Sequence, residues 1–164
     1  MANVHTQLRA ATLHDLEAVQ DVYLAAYPSL MSGYYAPDTL RAALPLMTKP
    51  WPTLLSSGRF FVVEGDGRLE AVGGWSDYPP GREHGPAHIR HFATRPSAAR
   101  KGFGGVILEK CLEQARLTGL SVIDCFASLN AESFYADHGF THLGYRQVKV
   151  AGVPFAVVEM RAPL

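Results

Sequence analysis

Two cations and three glycines stand together in the stretch AARKGFGG, residues 98–105, directly ahead of a segment with helical periodicity. The backbone N–H groups of a helix's first turn have no partner within the helix, and the helix dipole favours negative charge there. Glycine lets a bulky anion approach that backbone closely. The stretch therefore predicts an anion-binding site.

Three histidines, His84, His88 and His91, lie shortly before this stretch, and imidazole is a common metal ligand. A regular strand over 88–94 would point His88 and His91 to opposite faces, because side chains alternate along a strand. One metal ion could not bind both of them. We therefore expect no metal site.

The composition excludes several classes of protein. The chain has 164 residues, of which 48% are hydrophobic and 18% charged, and its formal net charge is zero. These values predict one soluble domain over 1–164 with a hydrophobic core. Without an excess of Lys and Arg, we expect neither a nucleic-acid partner nor a membrane partner.

The location and the oligomeric state are expectations of the same kind. No apolar run approaches the ~18 residues of a membrane span, and the first residues lack the pattern of a signal peptide. We expect a cytoplasmic protein whose cysteines, Cys111 and Cys125, are small hydrophobic residues of the core. A monomer and a homodimer are the alternatives for its assembly.

The elements that must position these residues follow from hydrophobic periodicity and turn residues. Thr12 is the expected cap of the first helix and Pro28 its expected end, while Asn130 is the expected cap of the last helix. The predicted order is strand 6–11, helix 12–28, helix 37–47, hairpin 59–78, strand 88–94, helix 102–118, strand 121–128, a short helix within 130–140 and hairpin 141–162. This order indicates an α+β fold with a strand–helix–strand crossover at its centre.

Three known phosphate-binding turns can be compared with the glycine stretch. A P-loop needs G-x-x-x-x-G-K-[ST], and no glycine here is followed by Lys and then Ser or Thr. A Rossmann turn, G-x-G-x-x-G, fits Gly102 and Gly104 but has Ile107 at the third glycine position. The third pattern is an order of elements around the turn. This chain has a strand, the glycine turn, a long helix, a buried strand, a short helix and a hairpin, one after the other. In this order of elements, nearly the whole chain resembles the GNAT superfamily of N-acetyltransferases.

Two motifs carry this resemblance. The family's acetyl-CoA pyrophosphate loop, [RQ]-x-x-G-x-[GA], corresponds to residues 99–104, with Ala99 where the family has Arg or Gln, so that Arg100 would supply the cation. The family's late N…A…FY…GF element corresponds to Asn130, Ala131, Phe134, Tyr135, Gly139 and Phe140. The resemblance implies a mixed, mostly antiparallel sheet with a central splayed parallel strand pair and helices on both faces.

The resemblance also implies acetyl-CoA as the cosubstrate. Its pyrophosphate would lie on the backbone of residues 100–105, and its pantetheine arm would lie along residues 92–94, in the gap beside the next parallel strand. The implied binding residues are Phe92, Ala93, Thr94, Ala99, Arg100, Lys101, Gly102, Phe103, Gly104, Gly105, Asn130 and Phe134.

Acetyl transfer to an amine needs a neutral amine and a protonated thiolate leaving group. Tyr135, four residues before Gly139, matches the tyrosine that many members of the family use beside the CoA sulfur, which implies that it is the acid. Some relatives carry Glu near the start of the cofactor strand, where this chain has His88, the candidate base. Glu83 and His84, acting through water, are the alternatives.

The aromatic residues of the first third of the chain are candidates for the acceptor site: Tyr27, Tyr34, Tyr35 and Trp51. They would surround an apolar or aromatic amine, or hold a cation over their rings, or else cover the sheet edge. We interpret the chain as an acetyl-CoA-dependent N-acetyltransferase that acts on a primary amine of a small molecule. A protein or peptide N-terminal acetyltransferase and a non-catalytic acyl-CoA-binding module are the alternatives.

Overall fold

The chain forms a mixed sheet flanked by helices in the computed structural model, which describes residues 5–164. The strands are β1 (Thr6–Ala10), β2 (Phe60–Gly65), β3 (Arg68–Ser76), β4 (Ala87–Thr94), β5 (Val122–Ser128), β6 (Thr141–Val150) and β7 (Val153–Pro163). The helices are α1 (Leu16–Met31), α2 (Pro37–Met47), α3 (Pro52–Leu55), α4 (Phe103–Leu117) and α5 (Glu132–Ala136), and short 3-10 turns, Leu13–Asp15 and Pro96–Ala98, precede α1 and α4.

The strands lie side by side in the order β1-β2-β3-β4-β5-β7-β6. β4 and β5 run parallel, whereas the other neighbouring strands of the described chain are antiparallel. The first three helices pack on one face of the sheet, and α4 and α5 pack on the other. The predicted α+β architecture is thereby confirmed.

The two parallel strands at the centre separate soon after they begin. Their ladder consists of the pairs Ala87–Ile123 and His88–Asp124. Beyond these pairs β5 keeps β7 on its other side along its whole length, while β4 keeps β3. The second half of β4 therefore faces a gap, with backbone groups that no neighbouring strand uses.

A bulge in β4 lies beside this gap. Val72 of β3 pairs with Ala93, and Gly74 pairs with Arg90, so one strand has an extra residue between the two pairs. His91 has a φ of 59° there, in the left-handed region that few residues other than glycine adopt. A bulge of this kind breaks the alternation of side chains and redirects those that follow.

Separate apolar clusters on the two faces hold the helices to the sheet. On one face, α4 packs Ile107, Cys111 and Ala115 against the sheet, and Cys125 of β5 belongs to the same cluster. On the other face, α1 packs several fully buried residues over β2 and β3, among them Val19, Val22, Tyr23 and Ala26. Both cysteines are buried, as predicted.

Two details of the helices differ from the sequence prediction. α1 continues through Pro28 to Met31. Pro28 has no N–H to donate to the Leu24 carbonyl, but Leu24 is exposed, so this carbonyl can accept from water instead. Asn130 does not cap α5: Ala131 stands at that position without a side-chain hydrogen bond, and the Asn130 Oδ1 atom is buried without a partner. The structure also adds α3, which the sequence did not predict.

No helix in residues 5–164 has both the length and the apolar composition that crossing a membrane requires.

Candidate active site

The glycine turn presents unpaired backbone donors. Arg100 and Gly102 have φ values of 64° and 81°, which turn the chain sharply before α4 begins. The N–H of Ala99 donates to the Pro96 carbonyl, and the next turn bond along the chain is the one from the N–H of Val106 to the Gly102 carbonyl. Within residues 5–164, no acceptor pairs with the N–H groups between them, from 100 to 105. Such a run of donors at a helix start is suited to a phosphate.

The glycines of this turn serve different purposes. Gly102 has the positive φ and open space around it, so the backbone conformation is what requires glycine there. A Cβ atom at Gly104 would lie 3.3 Å from Thr94 Oγ1, and one at Gly105 would lie 2.8 Å from His138 Nε2. These two glycines therefore let α4 pack closely against β4 and α5.

A groove of about 750 Å³ runs along the turn and the first part of α4, and we refer to it as the loop groove. Arg100 and Ala99 line it together with Lys110, while Lys101 does not. Glu109 and Glu113 also line it. Of the two cations of the turn, Arg100 and Lys101, Arg100 is the one that lines the groove beside Ala99.

A second cavity, of about 510 Å³, fills the gap between β4 and β5, and we refer to it as the central cavity. Its far walls come from α1, α2, β6 and β7, and they are apolar: Leu30, Met31, Leu46, Met47, Val148, Val150, Phe155 and Val157. Thr94, Gly104 and Phe134 line both this cavity and the loop groove. A long ligand can therefore lie in both at once.

Tyr135 of α5 lines the central cavity. Its ring packs edge to face on Phe92, Phe134 and Phe140, with centroid distances of 6.2, 5.0 and 5.5 Å. Burial raises the pKa of the phenol well above its usual value. The hydroxyl therefore keeps its proton at neutral pH and can donate it into the cavity.

His88 is buried away from the central cavity. Its exposed fraction is 2%, and its ring packs against Phe126 at 4.5 Å, while Phe126 itself lines the cavity. Burial lowers the pKa of His88 to about 4, against the opposing effect of the Asp124 carboxylate. Glu83 and His84, the alternative bases, lie in the exposed loop between β3 and β4.

His91 is a cavity residue that the sequence analysis did not select. It lies beside Trp51 at a centroid distance of 6.2 Å, and the Arg90 guanidinium lies 5.7 Å from the same ring. Arg90 and His91 are adjacent in the sequence and both lie at the Trp51 ring, so their side chains do not alternate between the faces of the sheet. The bulge therefore places His91 on the face that His88 and Arg90 occupy. The expectation that His88 and His91 face opposite sides is therefore wrong, and nothing in the sequence marks the bulge.

The described part of the chain, residues 5–164, contains no group of three or more His, Cys, Asp or Glu side chains arranged to hold a metal ion.

The structure brings two of the four predicted acceptor residues to the central cavity, Tyr27 and Trp51. The Tyr27 hydroxyl donates to the Phe92 carbonyl at 3.1 Å and so ties α1 to the bulge of β4. Tyr35 is buried and joins strands, because its hydroxyl donates to the Ala156 carbonyl at 2.7 Å and accepts from the Leu129 N–H at 2.8 Å. Tyr34 is exposed and lies outside the lining of the cavity.

Comparisons with known proteins agree with this geometry. The sequence model of the acetyltransferase (GNAT) family matches residues 16–140. No curated protein matches the sequence. Among solved structures, a GCN5-related N-acetyltransferase from Rhodopseudomonas palustris is similar, with a TM-score of 0.78, 18% identity and coverage of 100% of this chain and 99% of that one. The PaiA N-acetyltransferase from Thermoplasma acidophilum, in complex with coenzyme A, has a TM-score of 0.75, 14% identity and coverage of 98% and 99%. At these identities the likeness shows the fold.

Proposed function

The chain belongs to the GNAT acetyltransferase family, and from that membership we propose that it transfers the acetyl group of acetyl-CoA directly to a primary amine of a small molecule. The observation that carries this proposal is the junction between the loop groove and the central cavity. Because Thr94, Gly104 and Phe134 line both, a nucleotide bound at the glycine turn can extend its other end to Tyr135.

The residues present fit coenzyme A. The unpaired N–H groups of 100–105 suit the pyrophosphate, and Arg100 supplies a positive charge beside them. No strand pairs with the edge of residues 92–94 that faces the gap, and although the Phe92 carbonyl there accepts from Tyr27, this edge suits the amide groups of the pantetheine arm. Asn130 adds a buried Oδ1 atom without a partner at the cavity, which an amide N–H of that arm would satisfy. When bound, acetyl-CoA supplies the thioester that is attacked.

The cavity residues account for both proton transfers. Tyr135 lines the cavity and stays protonated, because burial raises its pKa, so its phenol is placed to give a proton to the leaving sulfur. His88 would need Phe126 to move before it reached the cavity, whereas His91 already lines it. The pKa of His91 is lowered to about 4 by burial, so its imidazole is unprotonated at neutral pH and can accept the proton of the amine. We therefore propose His91, rather than His88, as the base.

The apolar walls of the central cavity suit a small acceptor. They come from α1 and α2 on one side and from the β6–β7 hairpin on another, and three lining residues, Leu30, Leu46 and Trp51, are exposed, so a peptide terminus stays the alternative that the experiment tests. The apolar lining also disfavours the charged form of an amine, and this favours the neutral form that attacks.

The test is thiol release from acetyl-CoA over a panel of primary amines and short peptides, with calorimetry of coenzyme A on the same protein. We expect release that depends on a small amine. Release with peptides alone would favour the N-terminal acetyltransferase. Binding of coenzyme A without release for any acceptor would leave a non-catalytic acyl-CoA-binding module.

A further inference from the structure

Arg90 is a buried cation without a counter-ion. Its exposed fraction is 9%, one terminal nitrogen donates to Ser76 Oγ at 3.1 Å, and its Nε atom is buried without a partner. None of the ion pairs formed within residues 5–164 includes it. An unpaired buried guanidinium is costly, and an anion bound to it would offset that cost.

The groups around Arg90 leave its charge uncompensated. The charge of Arg90 affects the pKa values of three titratable groups, Tyr23, His88 and His91. Burial raises the pKa of Tyr23 and lowers those of His88 and His91 to about 4, so all three are neutral at pH 7. The Tyr23 hydroxyl and both ring nitrogens of His88 are also buried without partners. This cluster of polar groups carries one positive charge and has unused hydrogen-bonding capacity.

The cluster borders the central cavity. Ile89 and His91, the residues on either side of Arg90, both line the cavity, and so does Trp51, whose ring the guanidinium faces at 5.7 Å. Among residues 5–164, the lining itself includes no carboxylate and no lysine or arginine. Two guanidinium groups stand behind it, Arg90 at the Trp51 ring and Arg146 at 5.5 Å from the Phe126 ring, and Arg146 is paired with Glu159. Arg90 is therefore the one of these two that lacks a carboxylate partner within residues 5–164.

We propose that the acceptor is an amine that also bears a carboxylate and an apolar side chain, as the apolar amino acids do. The carboxylate binds Arg90 beside Trp51, and the side chain packs on the apolar wall formed by α2 and the β6–β7 hairpin. The carboxylate takes no part in the reaction: the nitrogen–acetyl bond forms, the acetyl–sulfur bond breaks, the amine loses a proton and the sulfur gains one. This inference rests on the proposed function and narrows its acceptor.

The test compares acceptors that differ in the carboxylate alone. Leucine, methionine, phenylalanine and tryptophan are each paired with the amine that lacks the carboxylate, for example phenylalanine with phenethylamine. The wild-type protein is expected to show a kcat/KM about 10- to 100-fold higher for the amino acid of at least one pair, the range for a hydrogen bond to a charged group. Arg90→Gln should lower that ratio towards 1, while Arg90→Lys should keep part of it.

A binding measurement complements the kinetics and does not depend on turnover. With coenzyme A present, the wild-type protein should bind N-acetylphenylalanine or the corresponding product of the preferred pair more tightly than the same product without its carboxylate. If the wild-type protein acetylates the amines as well as the amino acids, or binds both products equally, the inference is wrong while the proposed function stands. If no amine of either kind is acetylated, the proposed function fails and this inference fails with it.

Discussion

Tyr135 and His91 line one cavity, and burial favours the neutral form of each, the form in which a phenol can donate a proton and an imidazole can accept one. The phenol stays protonated to higher pH than a free tyrosine. The imidazole stays unprotonated down to a pH of about 4. One side chain can therefore donate a proton at the same pH at which the other accepts one.

Replacing Tyr135 by Phe removes the proton and keeps the packed ring. We expect Tyr135→Phe to retain its affinity for coenzyme A and to lose about 10²-fold in kcat, at the low end for a general acid because a thiolate leaves fairly readily unaided. The measurement is kcat against pH, with Tyr34→Phe on the exposed surface as the matched control. A wild-type rate for Tyr135→Phe across the profile would make Tyr135 a packing residue only.

The two buried histidines of β4 can be told apart by the same substitution. Asparagine tolerates a positive φ, so His91→Asn keeps the bulge while removing the base. We expect it to lower kcat/KM by about 10²-fold and to remove the loss of activity that wild type shows as the pH falls to about 4. His88→Asn is the comparison, a buried imidazole of similar pKa that does not line the cavity. A larger loss with His88→Asn than with His91→Asn would return the role of base to His88.

At the scale of elements, the glycine turn lies between the loop groove, where the pyrophosphate is proposed to bind, on one side and β4 and α5 on the other. A side chain at Gly104 would contact Thr94 and Phe134, which line both the loop groove and the central cavity. A substitution at Gly104 can therefore disturb the turn without changing any charged group.

We expect Gly104→Val to weaken coenzyme A binding by at least 10-fold, because its branched side chain would displace the turn from β4 and crowd the backbone donors. Calorimetry with coenzyme A measures the effect. Gly33→Val is the control, since a Cβ atom there has no neighbour within 4 Å. Unchanged affinity in a folded Gly104→Val protein would remove the pyrophosphate from this turn.

The elements that the sequence predicted well are those with local signals. The Asp66–Gly67 turn between two apolar runs fixes the β2–β3 hairpin, and a continuous apolar run fixes β5. The β4 bulge has no such signal, because it depends on how β4 pairs with β3 and how Tyr27 holds the Phe92 carbonyl. The glycine turn was predictable from its own residues and Tyr135 from the family resemblance, whereas nothing in the sequence marked His91 or the unpaired charge of Arg90.

At the scale of the whole molecule, the buried imidazoles link stability to pH. The pKa values of His88 and His91 are about 4 in the folded protein and about 6.5 in an unfolded chain. Between these values the unfolded chain binds more protons, so the free energy of unfolding falls as the pH falls. The contribution is fully present above about pH 6.5 and is lost towards about pH 4.

Urea unfolding between about pH 7.5 and about pH 4.5 measures this dependence. We expect stability to decrease over that range, and His88→Gln to show a shallower decrease than wild type. His84→Gln, in the exposed loop, should keep the wild-type slope. Equal slopes for wild type and His88→Gln would mean that the pKa of His88 is the same in the folded and the unfolded protein.

The junction of the loop groove with the central cavity is tested most directly by counting products. Wild-type protein is incubated with acetyl-CoA and the panel of apolar amines and amino acids, and the N-acetylated product is quantified by mass spectrometry against the thiol released. We expect one acetylated amine for each thiol, and no thiol without an acceptor. Tight binding of coenzyme A with no acetylated amine from any acceptor would contradict a catalytic site at this junction.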